Sequence, residues 1–471
     1  MKSILYRISA ASLLLALLLS ACGIHKEYGK TEAPLPDSFA RQSLTDTASI
    51  ADLEWNKFFT DPALQSLIEK GIAHNYDLLA ATRRIEVAQL QLTQAKALSL
   101  PSVGAQLTAQ YNRPADNSLN GVSLKNFVGS SHIENYNALV TANWEVDVWG
   151  KIKAQKGIAL TQYLQSYEAR RAVQTALVAA IAQGYYDLLM LDQQLLIARR
   201  NLALSDSFVT ATRLLKDAGI GNALAVQQAE AQRGATALLL PQLEAAISIQ
   251  ENNLQQLTGQ LPGKLQRGAL NTVSFPEQPA TGLPAALVSR RPDVRVQELE
   301  LTAAGLRTNV ARAGLYPSLN ITAGAGLEAF KASNWFNIPG SLFGLVGGSL
   351  LQPVFQKKAL RTQYETAKVQ REESVLRFRQ SVLNAVTEVS NALVRIEKTK
   401  EQESIARSQV TLLNSAISNA RLLFKSDMAS YLEVVSAQSA SLQAQLNLAS
   451  IQRARLGAVV ELYRSLGGGW K

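Results

Sequence analysis

The chain carries the same segment twice, so one architecture has to serve both of its halves. Residues 95–103 read AKALSLPSV and residues 311–319 read ARAGLYPSL, an offset of 216. Residues 213–226, RLLKDAGIGNALAV, return as 421–434, RLLFKSDMASYLEV, at an offset of 208. Leu224, Val226 and Ala229 recur there as Leu432, Val434 and Ala437. Two matches in the same order at nearly the same offset indicate duplication of a unit of about 210 residues.

The residues after each repeated start alternate. Val103, Ala105, Leu107, Ala109 and Tyr111 are apolar, with Gly104, Gln106, Thr108, Gln110 and Asn112 between them. Leu319, Ile321, Ala323, Ala325, Leu327 and Ala329 repeat the pattern against Ser318, Asn320, Thr322 and Glu328. The longest run sets Tyr136, Ala138, Val140, Ala142, Trp144, Val146 and Val148 against Asn135, Asn137, Thr141, Asn143, Glu145 and Asp147, with Leu139 the one exception. Period two predicts strands with one apolar and one wet face. About ten residues of alternation with aromatics near the ends is the pattern of an outer-membrane barrel strand. The alternative is a soluble sheet covered on one face. The predicted strands are 102–112, 134–149, 318–330 and 342–355, the last from its position because it is apolar and Gly-rich.

The N-terminus reads as an address. Lys2 and Arg7 precede the apolar run Ala10–Leu19, and Leu19-Ser20-Ala21-Cys22 follows. A basic start, a short apolar core and small residues before the cut make a secretory signal over 1–21. Its ending resembles a bacterial lipoprotein signal. That resemblance implies cleavage before Cys22, a diacylglycerol on its sulfur and an N-acyl chain; a plain signal with an incidental cysteine is the alternative. Gly23 comes next, so retention at the inner membrane is not suggested. With a single cysteine the exported chain has no internal disulfide. Loss of 1–21 removes Lys2 and Arg7 and no acid, so the formal charge falls from +10 to +8. The excess is spread without a block of like charge, which gives a nucleic-acid role no support.

Residues 22–60 are expected to form a lipid-anchored extension, 61–259 the first repeat, 260–283 a linker with prolines and glycines, and 284–471 the second repeat. Asp61-Pro62 opens a helix to about Gly71, with Asp61 as N-cap and Pro62 at N1. A second helix runs from near Tyr76 to before Pro101, and Arg113–Ser131 reads as a loop. From Lys151 to Lys216 the composition is helix-forming and free of proline. Leu188, Leu195, Leu202 and Val209 recur at sevens, as in coiled coils. Such a helix is ~100 Å long. Lys357–Lys425 repeats it, and return helices are expected at about 223–257 and 430–466. The expected fold is mainly α with a transmembrane β part: rods carrying two hairpins at one end and the turns Lys216–Asn222 and Phe424–Ser430 at the other. Four strands per chain are too few to close a barrel, and open edges in lipid leave backbone groups unpaired. Bacterial barrels start at eight strands and hold an even number, so strands must be pooled between chains.

These residues resemble the TolC-like outer membrane efflux channels, in their lipoprotein branch, over nearly the whole mature chain. The resemblance rests on Trp144-Glu145-Val146-Asp147-Val148-Trp149-Gly150-Lys151, on Gly282-Leu283-Pro284 followed by Arg290-Arg291-Pro292-Asp293-Val294-Arg295, and on Tyr316-Pro317-Ser318-Leu319. It rests also on Gln352-Pro353-Val354-Phe355, Ser430-Tyr431-Leu432-Glu433-Val434 and Leu466-Gly467-Gly468-Gly469-Trp470. It implies a homotrimer in the outer membrane, with a twelve-stranded β-barrel continued by a periplasmic α-helical barrel. It implies an exit duct for a tripartite pump, joined to a periplasmic adaptor and an inner-membrane efflux transporter. The chain departs from the family at three places. Gln356-Lys357-Lys358 stands where many members have a Gly pair. Asp427 stands where the first repeat has Gly219, and Gly221 and Ala429 replace an acid often found at the closed tip.

A passive conduit needs no catalytic constellation and no cofactor beyond the lipid at Cys22. His25, His74 and His132 are scattered without metal spacing. No Gly-rich phosphate loop is present. Asp293 and Glu298 lie among Arg290, Arg291 and Arg295, which reads as ion pairing and capping. The rival structural reading is a lipid-anchored periplasmic adaptor or coiled-coil scaffold, which needs only one helical hairpin. An exported hydrolase lacks a nucleophile–base pattern. Lys216, Asp217, Gly219, Lys425, Asp427 and Tyr431 are the candidates for the periplasmic aperture and adaptor contact. The two acids are expected to line or lock the tip with the lysines, or to be plain turn residues in water. By parity, Glu145, Asp147 and Glu328 are candidate lumen charges. Met190 and Met428 alone among methionines survive cleavage, which argues mildly against a soft-metal relay.

Overall fold

The computed structural model describes residues 49–471 apart from 274, 276–279, 283 and 427. The signal, Cys22, His25 and Asp427 lie outside the described residues. The described chain forms two compact units, and each draws on both halves of the sequence. One holds 86–164 and 299–376; the other holds 49–85, 165–298 and 377–471.

In the first unit four antiparallel strands pair in sequence order: β1 (Ser102–Asn112), β2 (Ile133–Val146), β3 (Ser318–Ala329) and β4 (Leu342–Leu351). The two hairpins are thus one sheet with β1 and β4 as edges. Two strands stop short of expectation. β2 ends at Val146 rather than 149, because the chain turns so that the Asp147 carboxylate accepts the Ile152 and Lys153 N–H groups at 3.0 and 2.8 Å. β4 ends at Leu351 rather than 355, ahead of Pro353, which has no N–H for a ladder. The expected loop 113–131 contains a helix. Ser118 Oγ accepts the Gly121 N–H at 3.1 Å and starts it, and Gly129 ends it.

The main helices are α1 (Pro62–His74), α2 (Tyr76–Ala97), α3 (Leu119–Val128), α4 (Lys151–Asp217), α5 (Ala223–Leu257), α6 (Pro292–Ala313), α7 (Ala359–Lys425) and α8 (Tyr431–Ser465). The halves match residue for residue. α4 and α7 both have 67 residues, α5 and α8 both have 35, and all four bounds differ by 208. α2 and α6 both have 22 residues and differ by 216. The eight-residue difference lies between the strands: 20 residues join β1 to β2 (113–132), and 12 join β3 to β4 (330–341).

The second unit repeats its contacts as well. After α5, Gly259 has φ +67°, and a Cβ there would stand 2.4 Å from the His74 carbonyl oxygen. After α8, Gly467 has φ +91°, and a Cβ would stand 2.7 Å from the Arg290 carbonyl oxygen. Only glycine admits both the left-handed backbone and that approach. Asn75 Nδ2 donates to the Leu257 carbonyl at 3.0 Å, and at the equivalent place Arg291 Nη1 donates to the Ser465 carbonyl at 3.0 Å.

An aromatic cluster binds the N-terminal segment and the linker to the helices of this unit. Phe58 stacks on Tyr463 with centroids 4.0 Å apart, and Phe275 joins Phe58, Phe59 and Tyr186. Arg267 of the linker ion-pairs with Asp192 of α4 and Glu251 of α5. Asp61 caps α1 through the Ala63 N–H at 2.8 Å and accepts the buried Tyr185 hydroxyl at 2.7 Å. Asp61→Ala removes the cap and strands that hydroxyl, so a loss of about 2–4 kcal/mol is expected. Asp61→Asn is expected to recover most of it, measured by thermal melting of purified protein.

Candidate functional site

Across β1 to β3 the register sorts a wet from an apolar face, while β4 is apolar on both, with Phe343, Leu345 and Leu351 on the wet side. Thr108 faces Asn137, which faces Glu328; Ser102 faces Asn143, which faces Thr322. Thr322 Oγ1 donates to Asn143 Oδ1 at 2.9 Å, and Asn135 Nδ2 donates to Glu328 Oε1 at 3.4 Å. On the opposite face Val103, Ala142, Ala323 and Val346 stand in one row, and Leu107, Ala138, Leu327 and Leu342 in another. Among the described residues nothing buries the edge positions of these rows: Val346 is 85% exposed, Leu107 74% and Val103 69%. Tyr111 and Tyr136 stand at the loop end of this face, and Trp144 at the helix end. A bare apolar sheet face bounded by aromatics is what a hydrocarbon layer covers.

At the helix end the strands are tied to the adjoining chain segments. Trp144 Nε1 donates to the Ser99 carbonyl at 3.0 Å, Trp149 Nε1 to the Pro317 carbonyl at 2.6 Å, and Gln352 Nε2 to the Leu315 carbonyl at 3.3 Å. The three candidate lumen charges are not brought together. Glu145 and Glu328 stand on the wet face near its opposite ends. Glu145 pairs with Lys151 at 2.9 Å. Asp147 lies beyond the strand, its carboxylate taken up by the start of α4.

In the second unit the turns after α4 and α7 are built alike. Ile220 N–H donates to the Leu215 carbonyl at 3.0 Å, and Met428 N–H donates to the Leu423 carbonyl at 2.9 Å, again 208 residues on. Gly219 takes φ +76° to close the first turn. Asn222 and Ser430 cap the return helices through the Ala225 N–H at 2.8 Å and the Leu432 N–H at 3.3 Å. Beneath the turns Phe208, Val209, Ala229 and Val434 form a buried cluster with Phe424 and Tyr431 against it, and the rings of Phe208 and Phe424 are 5.6 Å apart. Lys216, Asp217 and Lys425 are exposed. They make no ion pair among the described residues, and Asp427 lies outside them.

Sequence reasoning missed how differently the two hairpins are stitched. The α4–α5 pair carries Arg213–Glu230, Arg233–Asp206 and Arg199–Glu244 across it. At the equivalent α7–α8 positions, Glu230, Asp206, Arg233 and Glu244 become Gln438, Asn414, Ser441 and Gln452. There Ser441 Oγ donates to Asn414 Oδ1 at 3.0 Å. Nearer the linker, Glu403 of α7 pairs with Arg455 of α8 across the hairpin and with Arg407 of its own helix. Burial alone would raise its carboxyl, but the two guanidinium groups hold it below the usual range. Reading the sequence against itself at an offset of 208 exposes these differences.

Among the described residues no helix is long and apolar enough to cross a membrane, and no group of three His, Cys, Asp or Glu side chains could hold a metal ion. Residues 67–260 and 283–468 match the family described as outer membrane efflux protein. The cation efflux system protein CusC of Escherichia coli O6:H1 is 28% identical, over 97% of this chain and 97% of that one. The probable efflux pump outer membrane protein TtgC of Pseudomonas putida is 30% identical, over 97% of this chain and 94% of that one. The solved structure of a CusC chain, described with transmembrane channel formation, superposes with a TM-score of 0.84 at 25% identity, covering 94% of this chain and 99% of that one. With the family matched over both halves and the fold matched along most of its length, the chain belongs to the outer membrane efflux protein family.

Proposed function

We propose that this outer membrane efflux channel works as a homotrimer, without catalysis, as the passive exit duct of a tripartite pump. One observation carries the reading: a four-stranded sheet whose apolar face is bare and whose edges, β1 and β4, have no partner strand among the described residues. Edges left open in lipid cost several kcal/mol per unpaired backbone group. Since β1 and β4 run antiparallel, β4 of one copy fits β1 of the next, and three copies give twelve strands with no edge. The matched 22-, 67- and 35-residue helices of the two halves support internal duplication, with the repeats as 61–259 and 284–471. Cys22 is the proposed lipid attachment point. A periplasmic adaptor and an inner-membrane transporter are the proposed partners, and the transporter supplies the energy. Light scattering in mild detergent should give three chains per particle; a monodisperse monomer refutes the assembly.

The aperture is proposed at the turns holding Lys216, Asp217, Gly219, Lys425, Asp427 and Tyr431. Asp217 and Lys425 occupy equivalent positions at the ends of α4 and α7. Their opposite charges can therefore pair only between neighbouring hairpins. Alanine at Asp217 and Asp427 together is expected to raise single-channel conductance in planar bilayers several-fold, and unchanged conductance removes the lock. Glu145, Asp147 and Glu328 are proposed to set ion preference, with Asp147 the weakest because its carboxylate is already engaged. In the same bilayers, Glu328→Gln is expected to lower cation preference.

A further inference from the structure

The connection from β4 to α7 has a use that the conduit reading leaves unexplained. Lys357 and Lys358 have φ +49° and +68°, the left-handed region that side chains with a Cβ avoid. Glycine at both positions would relieve the strain. Strain retained in this way accompanies function. Both lysines are exposed and make no ion pair among the described residues. Directly before them, Val354 is 94% exposed and Phe355 82%, a few residues after Leu350 closes the bare apolar face of β4. Directly after them, an open groove on α7 begins at Lys358 and Arg361 and runs past Thr362 to Val369. Its one acid, Glu365, is paired with Lys368 at 2.9 Å.

We propose that Lys357 and Lys358 bind the headgroup of an anionic phospholipid in the periplasmic leaflet of the outer membrane, with Phe355 and Val354 among its acyl chains. The order of the chain carries the choice of ligand. An apolar strand face ends, two bare apolar side chains come after it, and two unpaired cations come next, within reach of the phosphate layer. The 113–132 and 330–341 connections lie at the other end of the strands, so this end faces the leaflet from which the long helices depart. A free inorganic anion would leave Val354 and Phe355 unexplained. The proposal rests on the outer-membrane placement.

The test compares thermal melting of full-length protein in nanodiscs of phosphatidylethanolamine alone and of phosphatidylethanolamine with phosphatidylglycerol. Wild type is expected to melt higher in the mixed discs. Lys357→Gly with Lys358→Gly is expected to lose more than half of that rise while melting no lower in the neutral discs, because glycine suits the backbone. Lys357→Arg with Lys358→Arg is expected to keep the rise. An equal rise in the glycine variant, or none in wild type, overturns the proposal. So does inorganic phosphate reproducing the rise in neutral discs, which makes the site one for free anions. A trimer fraction that falls equally in both discs for the glycine variant also overturns it, by assigning the lysines to contact between copies. A wild type that enters neither disc overturns the membrane placement and the lipid site with it.

Discussion

Val346→Arg is expected to abolish stable insertion of the channel. Val346 lies midway along β4, opposite Ala323, and is 85% exposed in the single chain. At the bilayer midplane an outward-facing Arg costs about 2–4 kcal/mol. The proposed trimer would carry three, so the expected penalty is about 6–12 kcal/mol per assembled barrel. On the surface of a soluble protein the same change would stay within about ±0.5 kcal/mol. The two environments therefore predict opposite results from one substitution. The readout is the fraction of chain recovered in the outer membrane and its heat-modifiable migration on gels. Wild-type behaviour of Val346→Arg would refute a lipid-facing sheet.

The second large effect is expected at Arg291. Its guanidinium is 4% exposed and meets Asp293, at 2.6 Å, and Glu388, at 2.9 Å, as well as the Ser465 carbonyl. Burial works against the charged guanidinium, but Asp293 and Glu388 outweigh it and hold its pKa up. For Asp293, burial pushes the carboxyl up and the ion pair with Arg291 outweighs it, holding it below the usual range. Arg291→Ala leaves the Ser465 carbonyl and two part-exposed carboxylates without the guanidinium, and Glu388 keeps Arg464, so a loss of about 2–3 kcal/mol is expected. Arg291→Asn copies the Asn75 arrangement of the first half. It is expected to restore only the bond to the Ser465 carbonyl, and with it the smaller part of the loss. Lysine is no substitute, since it cannot hold a carboxylate with two parallel N–H bonds. The sign of the pH dependence comes from the depressed carboxyl. Its contribution is full above the unfolded value of about 4 and fades as pH falls through the lower folded value. Thermal melting of wild type should therefore drop in acid, and that of Arg291→Ala should drop less over the same interval.

Much of this was legible in the residues, for identifiable reasons. Alternation gave the strand faces because residues along most of β1, β2 and β3 alternate in polarity, Leu139 apart. The uninterrupted run from Lys151 gave α4 because no proline occurs before Pro241. Asp61-Pro62 marked the start of α1, and the cap is in place. Strand ends were less legible. Asp147 has the parity of a wet-face residue, and only three-dimensional proximity to the Ile152 and Lys153 N–H groups diverts it. α3 was hidden because Ser, Asn and Gly, which punctuate loops, also cap short helices. The aperture candidates were legible as turns but not as partners, since contacts between copies leave no trace in one chain.

The crossing of the two compact units over the two halves has an evolutionary corollary. A tandem copy that folded as a bead on a string could later be discarded at little harm. Here each core draws a stretch from both halves, so deleting either half would gut both cores at once. On the proposed duplication, a gene fusion interwoven in this way cannot readily be undone, and point substitution is the route left open for the copies to diverge. Asn75 and Arg291, different residues at matching places, fit that route within a fixed frame.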